Sequence, residues 1–242
     1  MNDKQPDSYS FVYGINPAFE AVLSGKRKVY KAYLAAGSAG RLNKLKDLLR
    51  KANIGVVEAD KGKLFNLCRT REHQGIVLQT SEYPLARFDE VQGRDKYLLL
   101  DNIEDPHNLG AVLRSAEFFG WQTILLPSKG TAKIYPSVVK TAAGATEHLD
   151  IVLDHSSNYY VRNLKEQGYT IAALDAAGSE PISSFSKREN DKLLLVLGGE
   201  DKPIGQFILN LADYIVSIKR SGRLNSLNAS VAAGIALSSL YG

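Results

Sequence analysis

Apolar and polar positions divide the chain into two regimes. In the first 80 residues, short apolar runs alternate with amphipathic stretches. Ala32-Tyr33-Leu34-Ala35 reads as a strand, and Gly55-Val56-Val57 and Gly75-Ile76-Val77-Leu78 read as two more. Leu42, Leu45, Leu48 and Leu49 recur at helical spacing, with Lys44, Lys46, Arg50 and Lys51 between them. Asn16-Pro17 predicts a helix start, with Asn16 as the cap and Pro17 at the first helical position. Gly25 predicts its end. Helices and strands interleaved in this way predict a small α/β sandwich, residues 1–80. Residues 81–95 lack a period and contain Pro84 and Gly93, which predicts a linker.

From residue 96 the alternation is regular. Strands are predicted at 97–100, 123–126, 150–153, 170–174, 193–197 and 214–218. Helices are predicted at 109–119, 135–142, 158–167, 204–210 and 226–241. Several of the strands are unbroken apolar runs, as in a parallel sheet covered on both faces. Residues 96–242 are therefore expected to form a doubly wound α/β domain, whose ligands gather at the carboxyl ends of the strands.

Composition narrows the picture. The chain has 242 residues, 44% hydrophobic and 23% charged, which are globular proportions. No run approaches the ~20 apolar residues of a membrane span, and the first residues lack a signal-peptide pattern. Cys68 is the only cysteine, so disulfide frameworks and cysteine-rich zinc sites are excluded. His73, His107, His148 and His155 are not spaced as metal ligands. The expectation is a soluble protein of the reducing cytoplasm, with no metal and no membrane partner. Net charge is +4 but uneven: residues 1–80 hold 14 Lys and Arg against 7 Asp and Glu, and the remainder 16 against 19. The first part either meets a polyanion or carries a solvated basic face.

Three loops after predicted strands carry concentrated chemistry. There is no G-x-G-x-x-G after a strand, no P-loop and no G-x-S-x-G elbow, so dinucleotide, nucleotide-phosphate and hydrolase readings fall away. In the first loop, 101–115, Asn108 is placed to cap a helix, and Gly110 permits close backbone approach. Arg114 lies within the first two turns; it either forks a phosphate or pairs with Glu117 or Asp105. In the second, 198–205, Gly198 and Gly199 follow an apolar strand and present Glu200 at its end; this backbone either presses against a flat ligand with no Cβ in the way or makes a plain turn, with Pro203 opening the next helix. The third, 219–230, gathers Ser221, Asn225, Ser226, Asn228 and Ser230, more polar groups than one helix cap uses. A helix of small residues follows.

Asn108-Leu109-Gly110-Ala111-Val112-Leu113-Arg114-Ser115-Ala116 and Ser226-Leu227-Asn228-Ala229-Ser230-Val231-Ala232, in this order, resemble the motifs of the SpoU-type (TrmH-like) RNA ribose 2′-O-methyltransferases of the SPOUT superfamily. The likeness runs from Lys96 to the C-terminus. Tyr13-Gly14-Ile15-Asn16-Pro17 and His73-Gln74-Gly75 fit the RNA-recognition domain attached to many members. One motif departs. Where the family has G-x-E-G-x-G, this chain keeps Glu200 but has Asp201 and Pro203 for two glycines.

The resemblance implies a C-terminal trefoil knot, a homodimer, and S-adenosylmethionine held at Gly198, Gly199, Ile218 and Leu227. Arg114, Asn108, Glu200, Ser226 and Asn228 are the implied catalytic residues. Arg114 acts as base or, because arginine stays protonated in proteins, as a clamp on the neighbouring phosphate. Lys26, Arg27, Lys28, Lys44, Lys46 and Arg50 are the candidate RNA contacts. The layout is most similar to members that methylate a guanosine in the peptidyl-transferase loop of 23S rRNA. A tRNA enzyme, a resistance-site rRNA enzyme and a non-catalytic RNA-binding assembly factor are the alternatives.

Overall fold

The computed structural model describes residues 9–37, 40, 42–185, 192–199, 202–223 and 226–241. The chain forms two compact units: one comprises 1–84 with 134–148, the other 85–133 with 149–242.

In the first unit the elements are β1 (Ser10–Tyr13), α1 (Ile15–Ser24), β2 (Val29–Ala35), α2 (Asn43–Lys51), β3 (Val56–Ala59), α3 (Lys61–Cys68) and β4 (Ile76–Thr80). The strands make one mixed sheet in the order β1-β4-β2-β3. Val12, Ala32, Leu34, Ile76 and Leu78 point from it onto Ala18 and Ala21 of α1 and Leu45 and Leu49 of α2. The leucine period of α2 is thus a core stripe, with its lysines left outside. Helix α1 starts two residues earlier than the Asn16 cap predicts. Gly14 is its N-cap, with φ 94° and no capping side chain of its own. Gln74 caps it from a distance, its Oε1 accepting the Ile15 N–H at 2.9 Å. The two family-like segments of the sequence therefore meet in one turn.

The sequence pattern assigns all of 96–242 to one domain. Instead, 134–148 belongs with the first unit. It contains α5 (Pro136–Thr141), whose Val139 joins the β1–α1 core, and a 3₁₀ turn at Ala145–His148 that packs on α1. The 81–95 stretch is also ordered. Tyr83 Oη donates to the Thr146 carbonyl at 2.8 Å within the first unit. A 3₁₀ turn, Phe88–Val91, puts Phe88 and Val91 into the core of the second.

The second unit contains β5 (Lys96–Asp101), α4 (Pro106–Phe118), β6 (Thr123–Leu125), β7 (Asp150–Val152), α6 (Ser157–Glu166), β8 (Thr170–Leu174), β9 (Glu180–Pro181), α7 (Ile182–Phe185), β10 (Leu193–Gly198), α8 (Gln206–Leu211), β11 (Tyr214–Ser217) and α9 (Ala229–Ser239). Its seven strands run in the order β7-β6-β5-β10-β8-β11-β9, with parallel neighbours throughout. Alternate residues separate to the two faces. Leu99, Leu125, Val152, Ile171, Ala173, Leu194 and Val196 pack with Tyr160 and Leu164 of α6 and Ile208 of α8. Their sequence neighbours Leu98, Ile124, Ile151, Ala172 and Leu195 are buried as well. Helix α9 packs on β10 and against α4. Burial on both faces is why the strands read as unbroken apolar runs.

Candidate active site at the carboxyl edge of the parallel sheet

The first loop leaves β5 at Asp101, a buried carboxylate that accepts the Ser157 hydroxyl at 2.6 Å and the Gly205 N–H at 3.4 Å. One side chain thereby ties the end of β5 to the starts of α6 and α8. Helix α4 begins at Pro106, not at 109. Its cap is Asp105, which accepts the His107 N–H at 3.0 Å, so Asn108 is released from the capping role expected of it. The capping task falls elsewhere for a simple reason: Pro106 has no N–H to satisfy and pre-sets the helical φ, so the helix starts there.

Asn108 spends its carbonyl on a residue 120 positions away. Asn228 Nδ2 donates to Asn108 Oδ1 at 2.9 Å. The other end of the Asn228 amide caps α9, its Oδ1 accepting the Ser230 N–H at 2.9 Å and the Ser230 hydroxyl at 2.6 Å. The first and third loops are joined by this bond. Beside it lies a cavity of about 350 Å³ lined by Asn102, Ile103, Glu104, Asp105, Asn108, Lys202 and Ala229. Lys202 of the second loop pairs with Glu104 of the first at 2.5 Å. All three loops therefore contribute to one pocket edge.

Gly198 and Gly199 are required by the chain itself. A Cβ on Gly198 would lie 2.9 Å from the Ile204 nitrogen, and one on Gly199 would overlap the Asn102 carbonyl. The second loop folds down on the first only because both side chains are missing. Pro203 does not open the following helix: α8 starts at Gln206, with Gly205 as its cap. Ile218 is half-buried just beyond β11, and Ser226 and Leu227 are exposed before α9. Glu200, Asp201 and Asn225 lie outside the described residues.

Arg114 is exposed on α4 and makes no ion pair among the described residues, so the expected pairings with Glu117 or Asp105 are not formed. It does not line the pocket. Six residues at about 100° each turn it roughly 120° away from Asn108 round the helix. Four residues on, Phe118 shares its side of α4 and is 77% exposed.

Residues 95–238 match the family model described as SpoU rRNA Methylase family. The chain belongs to that family. Residues 11–86 match a second model, RNA 2′-O ribose methyltransferase substrate binding. The chain is thus an RNA methyltransferase, of the class that takes its methyl group from S-adenosylmethionine, with a substrate-binding region attached. It is 30% identical over 241 residues, 96% of this chain and 95% of the other, to a protein of Bacillus subtilis named as a TrmH family tRNA/rRNA methyltransferase, YacO. Two solved structures share the fold. The SpoU methyltransferase AviRb from Streptomyces viridochromogenes, in complex with AdoMet, has a TM-score of 0.79 at 23% identity, covering 96% of this chain and 89% of that one. An AdoMet-bound rRNA methyltransferase from Sinorhizobium meliloti has a TM-score of 0.79 at 20% identity, covering 96% and 86%.

In the substrate-binding unit of this SpoU-family protein, one predicted RNA contact is withdrawn. Arg27 is 4% exposed and grips Glu147 with two hydrogen bonds, Nε to Oε2 at 3.1 Å and Nη2 to Oε1 at 2.6 Å. A guanidinium sealed on a carboxylate is closed to phosphate, so Arg27 is a structural residue. Lys28 and Lys44 are exposed, and Lys26 and Lys46 are half-exposed. Lys26 lies 5.4 Å over the Tyr83 ring and Lys28 5.3 Å over Tyr30. Arg50 is exposed and pairs with Asp47 at 3.1 Å on its own helix, an interaction worth little in water.

Sequence reasoning missed the roles of Asp101, Asp105, Glu104, Lys202 and Gln74. Asp105-Pro106 carried the one available signal, an Asp cap followed by Pro at the first helical position. The others act through partners distant in sequence.

Proposed function

We propose that the chain transfers the methyl group of S-adenosylmethionine to a ribose 2′-hydroxyl of RNA, with a guanosine in the peptidyl-transferase loop of 23S rRNA as target. The observation carrying this reading is the Asn108–Asn228 hydrogen bond, which draws the first and third family motifs to one pocket. The donor supplies an electrophilic methyl on a sulfonium; the protein supplies alignment and charge. Gly198 and Gly199, half-buried at the carboxyl end of β10, carry no side chains there, which suits a donor held through backbone groups. Ile218 and exposed Leu227 add apolar surface for its adenine.

Asn108 and Asn228 orient the ribose, Ser226 holds ribose or phosphate, and Glu200 fixes Arg114 or the ribose. Arg114 clamps the adjacent phosphate, and that phosphate helps accept the 2′-hydroxyl proton as the oxygen takes the methyl group from the sulfonium, which is left as a neutral thioether. A guanidinium is a poor base because its ordinary pKa lies above 12, and an exposed Arg114 with no ion pair among the described residues suits a clamp. The working form is a homodimer through α4 and α9. Phe118, Val231, Ile235 and Tyr241 are all exposed on or beside these two packed helices. Arg114, on the Phe118 side of α4, borders that surface, which supports a role for it at a subunit boundary. The C-terminal segment closes as a trefoil knot. In support, β10 inserts between the earlier β5 and β8, and β11 between the earlier β8 and β9. The setting is cytoplasmic.

The test is incorporation of labelled methyl into 23S rRNA and tRNA transcripts, with the product nucleotide mapped. Methylation of rRNA on a ribose oxygen is expected. Modification of a base, or of tRNA alone, would refute the assignment. Arg114→Ala is expected to abolish turnover while leaving donor binding, read by calorimetry, within about twofold.

A further inference from the structure

An aromatic pair on the same sheet edge is used by none of the motif residues. His155 and Tyr159 stack with ring centroids 4.0 Å apart and planes at 12°. Tyr159 is 44% exposed. The pair is held rigidly from below. Asp154 Oδ1 takes His155 Nδ1 at 2.8 Å and the Tyr160 hydroxyl at 2.9 Å, and its Oδ2 accepts the Phe88 N–H at 2.8 Å. The Phe88 ring meets Tyr159 and His155 edge-on at 6.1 and 6.2 Å. The platform is ordered before anything binds, so little conformational freedom remains to be lost.

The loop after β6 connects this pair to the pocket. Ser128 N–H donates to the His155 carbonyl at 2.9 Å. Three and four residues on, the Thr131 hydroxyl and the Ala132 N–H both donate to the Ile103 carbonyl at 3.0 Å. A Cβ on Gly130 would lie 2.8 Å from Asn102 Oδ1. Asn102 and Ile103 line the cavity beside Asn108. Pocket, loop and aromatic pair are therefore continuous, and the loop carries Lys129, exposed and without an ion pair among the described residues.

We propose that the Tyr159–His155 pair is a stacking platform for an unpaired RNA base flanking the methylated nucleotide, with Lys129 meeting the intervening phosphate. This rests on the reading of the pocket as an RNA 2′-O-methylation site. Single-stranded RNA offers splayed bases to aromatic side chains, and such stacking accepts any base. The rim of Asp154, Ser156 and Lys129 is polar, which suits a nucleotide better than an apolar protein partner.

Three variants test it in the full-length protein: Tyr159→Leu, Tyr159→Phe and Lys129→Ala. The readouts are steady-state methylation of an rRNA transcript, binding of a labelled single-stranded oligoribonucleotide, and donor affinity by calorimetry. Tyr159→Leu is expected to raise the KM for RNA and weaken oligonucleotide binding about tenfold, the scale of one base stack. Its kcat and donor affinity should be unchanged. Tyr159→Phe should match the wild type, because stacking needs the ring and not the hydroxyl. Lys129→Ala should flatten the salt dependence of binding by about one phosphate. Wild-type KM and oligonucleotide affinity in Tyr159→Leu overturn the platform and leave the methyltransferase reading standing. Loss of kcat or donor affinity in that variant shows a structural role and overturns it too. Wild-type protein that methylates no RNA overturns the methyltransferase reading, and oligonucleotide binding then decides the platform alone.

Discussion

Arg27 and Glu147 are both almost fully buried, and each is the other's principal partner. Removing one leaves a buried charge uncompensated. Arg27→Ala is expected to cost about 3–5 kcal/mol, measured by urea unfolding, whereas Arg27→Met combined with Glu147→Leu should recover most of it. His73 is a second consequential residue. Burial, reinforced by Lys61, holds its imidazole below the ordinary histidine range, and its Nδ1 accepts the Gly75 N–H at 3.0 Å. Protonation of that nitrogen removes the acceptor. A histidine with a lowered folded pKa stabilises the fold fully above the unfolded value, about 6.5, and loses that contribution as pH falls below it. The thermal midpoint should therefore drop between pH 7.5 and 5.5, with a shallower drop in His73→Gln. Neither partnership was legible in the sequence. Arg27 sits in a cationic run that reads as surface, and its carboxylate partner is 120 residues away.

Among the elements, strands read more accurately than helix starts. β8 falls where its apolar run predicts, because a strand covered on both faces admits little else. Helix starts move where capping is assigned from local sequence alone. Asn16 and Asn108 are good caps by type, yet Gly14 and Asp105 take those positions. α3 escapes notice because its eight residues show only a weak apolar period. The Gly198–Gly199 turn is legible as close approach, but what approaches Gly199 in the structure is the Asn102 carbonyl. Gly199→Ala must push the two loops apart. Overpacking of this kind costs roughly 1–3 kcal/mol, so donor affinity is expected to weaken about tenfold in a calorimetric titration, with the far-ultraviolet dichroism unchanged.

For the whole molecule, charge asymmetry divides the labour. Under the proposed function, the basic substrate-binding unit supplies sequence-independent attraction for RNA and the parallel-sheet unit supplies chemistry. Replacing Lys28, Lys44 and Lys46 together by alanine should weaken RNA binding and lower its salt slope by up to about three, one for each phosphate no longer neutralised. The same change at Arg50, already engaged with Asp47, should do less. Phe118→Asp and Ile235→Asp each place a carboxylate on the exposed α4–α9 face. Both are expected to shift the protein toward monomer in sedimentation velocity and to reduce turnover, because Arg114 lies beside that face.

Alternation of apolar residues, by itself, determined the α/β class and the parallel sheet, since burying both faces of a strand leaves a mark on consecutive residues. Motif spacing likewise singled out the loops expected to carry chemistry, because Asn108, Arg114, Ser226 and Asn228 cluster in segments that follow strands. Tertiary structure alone decided which of these groups meet. It paired Asn228 with Asn108, turned Arg114 to another side of its helix, consumed Arg27 in a buried ion pair and gave residues 134–148 to the first unit. Such outcomes depend on contacts between positions up to 120 residues apart. A local pattern constrains each residue's own environment, and it carries no information about which distant side chain will fill it.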